Sequence, residues 1–373
     1  MQERLHILHV ISSLEMGGAQ AVLSDLVRAL PADKYTHTVI YFHEGPCVAR
    51  LQALGISVYQ VRGALCAYDP VFWWRMLCVV RTLKPDIIHA SLWSAGFVCR
   101  MVSRLTRIPV VTAVHALFAH HGPLRCALDV MTSNKNDTFI AVSSEVACSI
   151  NSWLPARAVR VIRNGIDVSH IRTLRAESGR VVVPGLQSDH FVIGSVGRFV
   201  PVKRYELLLD TFASVHARHA NARLLLIGVG PLESRLRAQA AQLGIAHAVF
   251  FVIGQLALPL YPHMHCFVQT SAHEGLSIAL LEAMATGVPC ITTSHSGQHA
   301  LICHGINGMV VNSDDSKQLA SYIEKLMVDA ALRVRLGLEA AATIAGNYSV
   351  ESMCQGYEEV FDRLIKKENK NSF

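Results

Sequence analysis

The chain has 373 residues, 51% of them hydrophobic and 17% charged, so it is too long for one ordinary core and too apolar to be disordered; two domains are expected. Its ten cysteines form no Cys-x-x-Cys pair and show no metal-type Cys/His spacing, which indicates neither a zinc site nor a disulfide framework and suits reduced cytosol. The formal net charge is +6, with Arg75, Arg81, Lys84, Arg100, Arg104 and Arg107 gathered in the first half, a distribution that suits an anionic membrane surface as well as solvated helix faces.

Met1 to Ile11 carries a charged pair, Glu3 and Arg4, followed by a short apolar run broken by His6 and His9, which suits a buried first strand better than an export signal. No stretch of about eighteen apolar residues follows, so no spanning helix is expected. Short apolar runs then alternate with amphipathic segments, the pattern of a parallel sheet covered on both faces. Strands are expected at Leu5–Ile11, Thr38–Phe42, Ser57–Val61, Asp86–His89, Val110–Val114, Thr138–Val142 and Val159–Ile162, with helices such as Ala19–Leu30 and Phe72–Leu83 between them. Periodicity fades through Arg172–Asp189, which reads as a linker. A second series follows, with strands at Phe191–Val196, Arg223–Ile227, Val249–Ile253, Cys266–Gln269, Cys290–Thr293 and Gly308–Val311, and helices such as Tyr205–His216 and Leu232–Leu243. Val350–Lys367 is an amphipathic helix that should pack on a domain. The fold class is therefore α/β, with two Rossmann-like doubly wound domains facing each other across a cleft: 1–167, a linker at 168–189, 190–346, and a terminal helix and tail at 347–373.

Chemistry is sought at strand ends, where such sheets gather ligands. Glu274 precedes, and Glu282 lies within, an expected helix, Leu276 to Ala285, whose first amides lack partners; such an end holds phosphate while the carboxylates accept hydroxyls. Both glutamates equally suit an ordinary solvated helix start. Gly197-Arg198-Phe-Val-Pro-Val-Lys203 puts one guanidinium fork and one mobile ammonium in a single loop, enough to offset a diphosphate. Gly17-Gly18 follows the first strand and lets a ligand approach the backbone, or is an ordinary turn. His115 ends another strand and leads into Ala116–Pro123, with His120 and His121, whereas His89 reads as structural. Gly228-Val-Gly-Pro-Leu-Glu233 lacks the third glycine of a dinucleotide fingerprint, and Asn164-Gly-Ile-Asp167 reads as a turn.

Together these segments resemble glycosyltransferase family 4, the retaining, nucleotide-sugar-dependent enzymes of the two-Rossmann GT-B fold. The resemblance rests on Ile11-Ser-Ser-Leu-Glu-Met-Gly-Gly-Ala-Gln, Pro85-Asp-Ile-Ile-His, His115, Ala141-Val-Ser-Ser, Asn164-Gly-Ile-Asp, Gly197-Arg with Lys203, Ile227-Gly-Val-Gly-Pro and the Glu274/Glu282 pair, in that order. It implies that Arg198 and Lys203 hold the donor diphosphate, Glu282 the ribose, and Glu274 the transferred sugar. Amides of Gly275, Leu276 and Ser277 would complete the cradle, with Gly17 and Gly18 near the pyrophosphate, His115 near the reacting carbon, and the base near Ile253 and Gly254. It implies no metal and no cofactor beyond a nucleotide-sugar donor, a UDP-sugar above all. It implies transfer of a hexose or N-acetylhexosamine to a lipid-linked or polysaccharide acceptor in envelope glycan synthesis, with cytoplasmic placement and peripheral contact with the inner face of the membrane. Nucleic acid is not an expected partner. The chain departs from the family pattern at Ser296-Gly-Gln-His-Ala300, where a Gly-Gly-x-x-Glu segment is common, and at Arg204 and Leu276. A nucleotide-sugar-binding relative without turnover is therefore one alternative, and a nicotinamide-dependent oxidoreductase, suggested by the α/β pattern and Glu44, is another.

Overall fold

A computed structural model of the chain describes residues 4–63, 69–117, 122–134, 137–155, 157–177, 183–255, 257–294, 301–312 and 314–371. The chain divides into two compact units, residues 1–165 with 350–373, and residues 166–349. Among the described residues, no helix is long and apolar enough to cross a membrane.

The first unit runs β1 (Leu5–Ser13), α1 (Gly18–Ala29), β2 (Tyr35–His43), α2 (Cys47–Ala53), β3 (Ser57–Gln60), α3 (Pro70–Leu83), β4 (Ile87–Ser91), α4 (Trp93–Thr106), β5 (Val110–Val114), α5 (Pro123–Thr132), β6 (Thr138–Ala141), α6 (Ser144–Trp153) and β7 (Ala158–Val161). All pairings are parallel, in the order β3-β2-β1-β4-β5-β6-β7. Period-two alternation in the strands feeds two faces. Leu8, Val10, Ile40, Ile88 and Val110 pack with Phe72, Met76 and Val80 of α3 and with Phe97, Val98 and Val102 of α4. Ile11, Val39 and Tyr41 on the opposite face pack with Leu23 and Val27 of α1 and Leu51 of α2.

That second face also carries a row of histidines. His9 Nδ1 lies 2.9 Å from His89 Nδ1 and His9 Nε2 lies 3.0 Å from His37 Nδ1, joining β2, β1 and β4. His89, expected to be structural, is 2% exposed. The row is covered by the terminal helix: the Tyr357 ring meets His89 edge-on, Phe361 meets Tyr35, and Lys34 pairs with Glu358 and Asp362 at 3.1 Å each. The C-terminal segment is thus an integral part of the first unit rather than a separate appendage.

The second unit runs α7 (Val168–Glu177), β8 (Phe191–Val196), α8 (Tyr205–Arg218), β9 (Ala222–Ile227), α9 (Glu233–Gln242), β10 (Val249–Val252), β11 (Cys266–Gln269), α10 (Ile278–Ala285), β12 (Cys290–Thr293), β13 (Met309–Val311), α11 (Ser316–Val328) and α12 (Ala330–Asn347); α13 (Val350–Asn371) then returns to the first unit. Its parallel sheet is ordered β10-β9-β8-β11-β12-β13, so the winding reverses between β8 and β11. The expected linker needs correction. The unit boundary falls at Gly165 and Ile166, and 168–177 is helical because Asp167 Oδ1 accepts from His170 N at 2.8 Å, capping a turn that buries Ile171. Within the expected Asn164–Asp167 turn, Ile166 forms an isolated bridge with Ser349 at the unit boundary.

Candidate functional site

The strand-end loops of the second unit converge at its winding reversal. Gly197, Arg198 and the 201–203 turn leave β8, while Thr270, Ser271 and Glu274 leave the adjacent β11. The two loops are tied by backbone and side chain. Ala272 N donates to Val202 O at 2.8 Å, and the Thr270 hydroxyl lies 2.8 Å from Lys203 O and 3.1 Å from Arg204 O. Lys203 Nζ pairs with Glu274 Oε1, which also accepts from the Ser271 hydroxyl at 2.9 Å. Both charged side chains are mostly buried, 18% and 17% exposed. The expected mobile ammonium at Lys203 is therefore corrected: opposite charges on neighbouring loops hold each other, fixing one positive and one negative group at a defined spot. Arg198, on the same loop, is exposed.

The helix after Glu274 begins later than expected. Ser277 is the N-cap, its hydroxyl accepting from Leu280 N at 3.4 Å, and α10 starts at Ile278. Serine caps better than leucine, and Gly275-Leu276 is left as loop. The amides of Gly275, Leu276, Ser277 and Ile278 make no hydrogen bond among the described residues. Glu282, on the second turn, is held by Tyr261, whose hydroxyl lies 2.9 Å from Glu282 Oε2 and 3.0 Å from Ala279 O. Burial first, and then the Glu282 carboxylate, push the Tyr261 phenol well above its ordinary value, so it stays a neutral donor. At the end of β10, Ile253 is 38% exposed and a Cβ at Gly254 would meet nothing within 4 Å, leaving an open shelf.

One support was invisible in the residue types. Phe199 N donates to Val229 O at 2.8 Å and Leu232 N to Phe199 O at 3.1 Å, seating the Arg198 loop on the loop after β9. A Cβ at Gly228 would stand 2.0 Å from Gly197 O, and one at Gly230 2.5 Å from Phe199 O. The glycines of the weak dinucleotide match thus serve close loop packing. Tyr205, whose hydroxyl donates to Gly197 O at 3.1 Å, anchors the same loop from α8.

In the first unit, Gly17 is the N-cap of α1, and Gly18 is its first residue. Gly17 is extended, at φ −178°, and a Cβ there would lie 2.7 Å from Gln20 Oε1; Gln20 Nε2 in turn donates to Ser13 O at 2.9 Å. His115 follows β5 and lines a cavity with Leu92, Trp93, Arg100, Thr112 and Phe139. Burial lowers its pKa to about 4, so it is a neutral imidazole at pH 7 rather than a resident cation. Its Nε2 is shielded and unpartnered among the described residues, as is the Thr112 hydroxyl. Leu92, entering α4, adopts φ 72°, a strained backbone for leucine. Arg100 is 1% exposed and paired with Asp129, so it belongs to the interior and leaves the expected basic surface. His120, His121 and Ser296–Ala300 lie outside the described residues.

The geometry offers anion-binding amides and cations beside two anchored carboxylates, a chemistry suited to a phosphorylated polyol. Comparison with known proteins identifies the class. The Glycosyltransferase Family 4 model matches residues 16–170 and the Glycosyl transferases group 1 model residues 182–343, so together they span both units.

The chain belongs to glycosyltransferase family 4.

Among relatives of this family 4 glycosyltransferase, the lipopolysaccharide core biosynthesis glycosyltransferase LpsD of Rhizobium meliloti is 27% identical over 367 residues, 97% of this chain and all of that one. An uncharacterized glycosyltransferase, MJ1607, of Methanocaldococcus jannaschii is 27% identical over 329 residues, 81% of this chain and 83% of its own length. The Anabaena protein HepE, solved with UDP-glucose, is 22% identical over 96% of this chain and 100% of that one, with TM-score 0.83. Sucrose-phosphate synthase from Thermosynechococcus elongatus is 18% identical over 98% of this chain and 100% of that one, with TM-score 0.80. These structures share the two-Rossmann GT-B fold with the family 4 chain.

Of the expected site residues, Arg198, Lys203, Ile253, Gly254, Glu274, Gly275, Leu276, Ser277 and Glu282 belong to loops or helix turns of the second unit. Direct contact is made by the Lys203–Glu274 pair, while Glu282 is reached by Tyr261. Gly17, Gly18 and His115 belong to the first unit. Sequence reasoning missed Ser271, Thr270, Tyr205 and Tyr261. A serine three residues before Glu274 was a signal that could have been read, whereas Tyr261 gives none.

Proposed function

We propose that the chain is a retaining, metal-independent transferase that moves a hexose or N-acetylhexosamine from a UDP-sugar to a lipid-linked or polysaccharide acceptor in cell-envelope glycan synthesis. The observation that carries the reading is the anchored Lys203–Glu274 pair at the winding reversal, beside the unpaired amides of 275–278 and the Tyr261-held Glu282. Relatives named for lipopolysaccharide core and capsular polysaccharide synthesis support the acceptor class, and HepE, solved with UDP and with UDP-glucose, supports the donor class.

In this reading Arg198, Lys203 and the amides of Gly275 to Ser277 take the diphosphate, Glu282 the ribose hydroxyls, Glu274 hydroxyls of the transferred sugar, and the shelf at Ile253 and Gly254 the base. The negative charge that develops on the leaving diphosphate is offset by Arg198, Lys203 and the amides of Gly275 to Ser277, which removes the need for a metal. Gly17 and Gly18 are assigned to the pyrophosphate and His115, as a neutral imidazole, to the sugar near its reacting carbon. The acceptor oxygen attacks the anomeric carbon from the face the phosphate leaves, the carbon–phosphate oxygen bond breaks, and the acceptor proton passes to the departing phosphate. The products are the glycoside and UDP, with configuration retained. Peripheral contact with an anionic membrane on the cytoplasmic side belongs to the same proposal.

A thermal-shift screen of nucleotide sugars, UDP and NAD tests it. A ligand at about 100 times its dissociation constant adds about 2.7 kcal/mol of stability. UDP-sugars should stabilise the protein and NAD should not; stabilisation by NAD alone would transfer the site to an oxidoreductase. Donor binding with neither transfer nor hydrolysis would favour a relative without turnover.

A further inference from the structure

Ser271 stands three residues before Glu274, the Ser-x-x-Glu spacing of a helix capping box. No helix begins there: the chain stays a loop as far as Ser277, whose own hydroxyl caps α10, and the Ser271 hydroxyl goes to Glu274 Oε1 at 2.9 Å rather than to an amide. A carboxylate only accepts, so the serine proton is committed to that oxygen. Lys203 Nζ pairs with the same Oε1. Oε2 makes no hydrogen bond among the described residues and is open to solvent. The carboxylate therefore has one held oxygen and one free oxygen.

Two further hydroxyls brace the held side from behind. Ser271 O accepts from Thr293 Oγ1 at 2.8 Å, which ties the end of β11 to the end of β12, and the Thr270 hydroxyl, between Lys203 O and Arg204 O, fixes the backbone that carries the ammonium. Thr270, Ser271 and Thr293 are 2%, 0% and 2% exposed, so none of the three touches a ligand. An ordinary buried threonine bonds back to its own helix turn, as Thr211 does to Leu207 O at 2.8 Å. These three instead tie the loops after β8, β11 and β12 to a single charge pair. Lysine and glutamate lose much rotamer freedom when held in one geometry, and the braces supply that order before a ligand arrives. We propose that Ser271 is a positioning residue that reserves Glu274 Oε2 for a hydroxyl of the transferred sugar, with Thr270 setting Lys203 beside it. The inference rests on the donor reading and deepens it: Ser271 governs recognition of the sugar, whereas Thr270, acting through Lys203, governs recognition of diphosphate and sugar together. With Oε1 filled, the carboxylate offers a sugar hydroxyl one acceptor at one place.

The test is calorimetric titration of the full-length chain with UDP and with whichever of UDP-glucose, UDP-galactose and UDP-N-acetylglucosamine stabilises wild type most. Ser271→Ala should keep the UDP affinity of wild type while the ratio of UDP-sugar to UDP affinity falls roughly tenfold or more, the size of one hydrogen bond to a charged group. The preference among the three sugars should narrow with it. Intact UDP binding shows at the same time that the variant's site is folded. Thr270→Val should weaken UDP and the UDP-sugar together, and Thr270→Ser, which keeps the hydroxyl, should restore both. A ratio and a sugar preference unchanged in Ser271→Ala would overturn the proposal, as would equal losses of UDP and UDP-sugar affinity in that variant. Wild-type affinities in Thr270→Val would overturn the part assigned to Thr270. Wild type that binds neither ligand sinks the donor reading and this inference with it, whereas wild-type binding with an unmoved ratio in Ser271→Ala sinks the inference alone.

Discussion

The histidine row beneath α13 makes acid stability the most quantitative consequence of the fold. His9, His37 and His89 are lowered first by burial and then by neighbouring imidazoles, His37 to about 4 and His89 to about 3. In the unfolded chain each returns to about 6.5. Below that value the unfolded state binds more protons, so the free energy of unfolding falls as pH falls. The stabilisation is complete above about pH 6.5 and is withdrawn through the window down to about 3, the folded value of His89. At pH 5, about 1.5 units below the reference, His37 and His89 each forfeit about 2 kcal/mol at 1.36 kcal/mol per unit, about 4 for the two. His9 acts in the same direction. Against a typical reserve of about 5–15 kcal/mol that is a large fraction. Urea unfolding followed by intrinsic fluorescence suits the measurement, because Trp73, Trp74, Trp93 and Trp153, all four tryptophans of the chain, lie in the first unit. Wild type should lose stability steeply between pH 6.5 and 5, and His89→Gln should flatten the slope by about one proton, 1.4 kcal/mol per unit. A stability that stays level from pH 7.5 to 5, or an identical slope in the variant, would refute the reasoning.

Two further outcomes follow from packing. Asp129→Asn leaves Arg100 buried without its counter-charge and should cost about 3–5 kcal/mol, while pairing Asp129→Leu with Arg100→Met should cost less; urea unfolding checks both, and a single variant within about 1 kcal/mol of wild type would deny the pair its role. Gly230→Ala drives a Cβ into Phe199 O, so it should cost about 1–3 kcal/mol and weaken UDP binding by displacing the Arg198 loop. Unchanged calorimetric affinity would show that the loop does not need that seat.

Each strand expected from the sequence is found, with ends shifted by at most a few residues, because parallel strands buried on both faces are short uninterrupted apolar runs between turn signals. The strand ends were legible for the same reason, and with them Arg198, Lys203, Glu274 and His115. What failed was decided at a distance. The pairing of Lys203 with Glu274 joins residues 71 apart, and Tyr261 reaches Glu282 across 21. Arg100 looked like surface charge until Asp129, on another helix, took it inside. The 168–177 helix was read as linker because its polar residues hid a single capped turn around buried Ile171. The glycines after β9 lack the third glycine of a dinucleotide fingerprint, and only the folded chain shows that their absent side chains make room for the neighbouring loop.

The central claim is that the winding reversal of the second unit binds the nucleotide of an activated sugar. Calorimetric titration of UDP into wild type, Glu282→Ala and Lys203→Ala tests it most directly. The account predicts measurable binding by wild type and affinity lowered by about tenfold or more, 1.4 kcal/mol, in each variant. Equal affinity in all three proteins would contradict it.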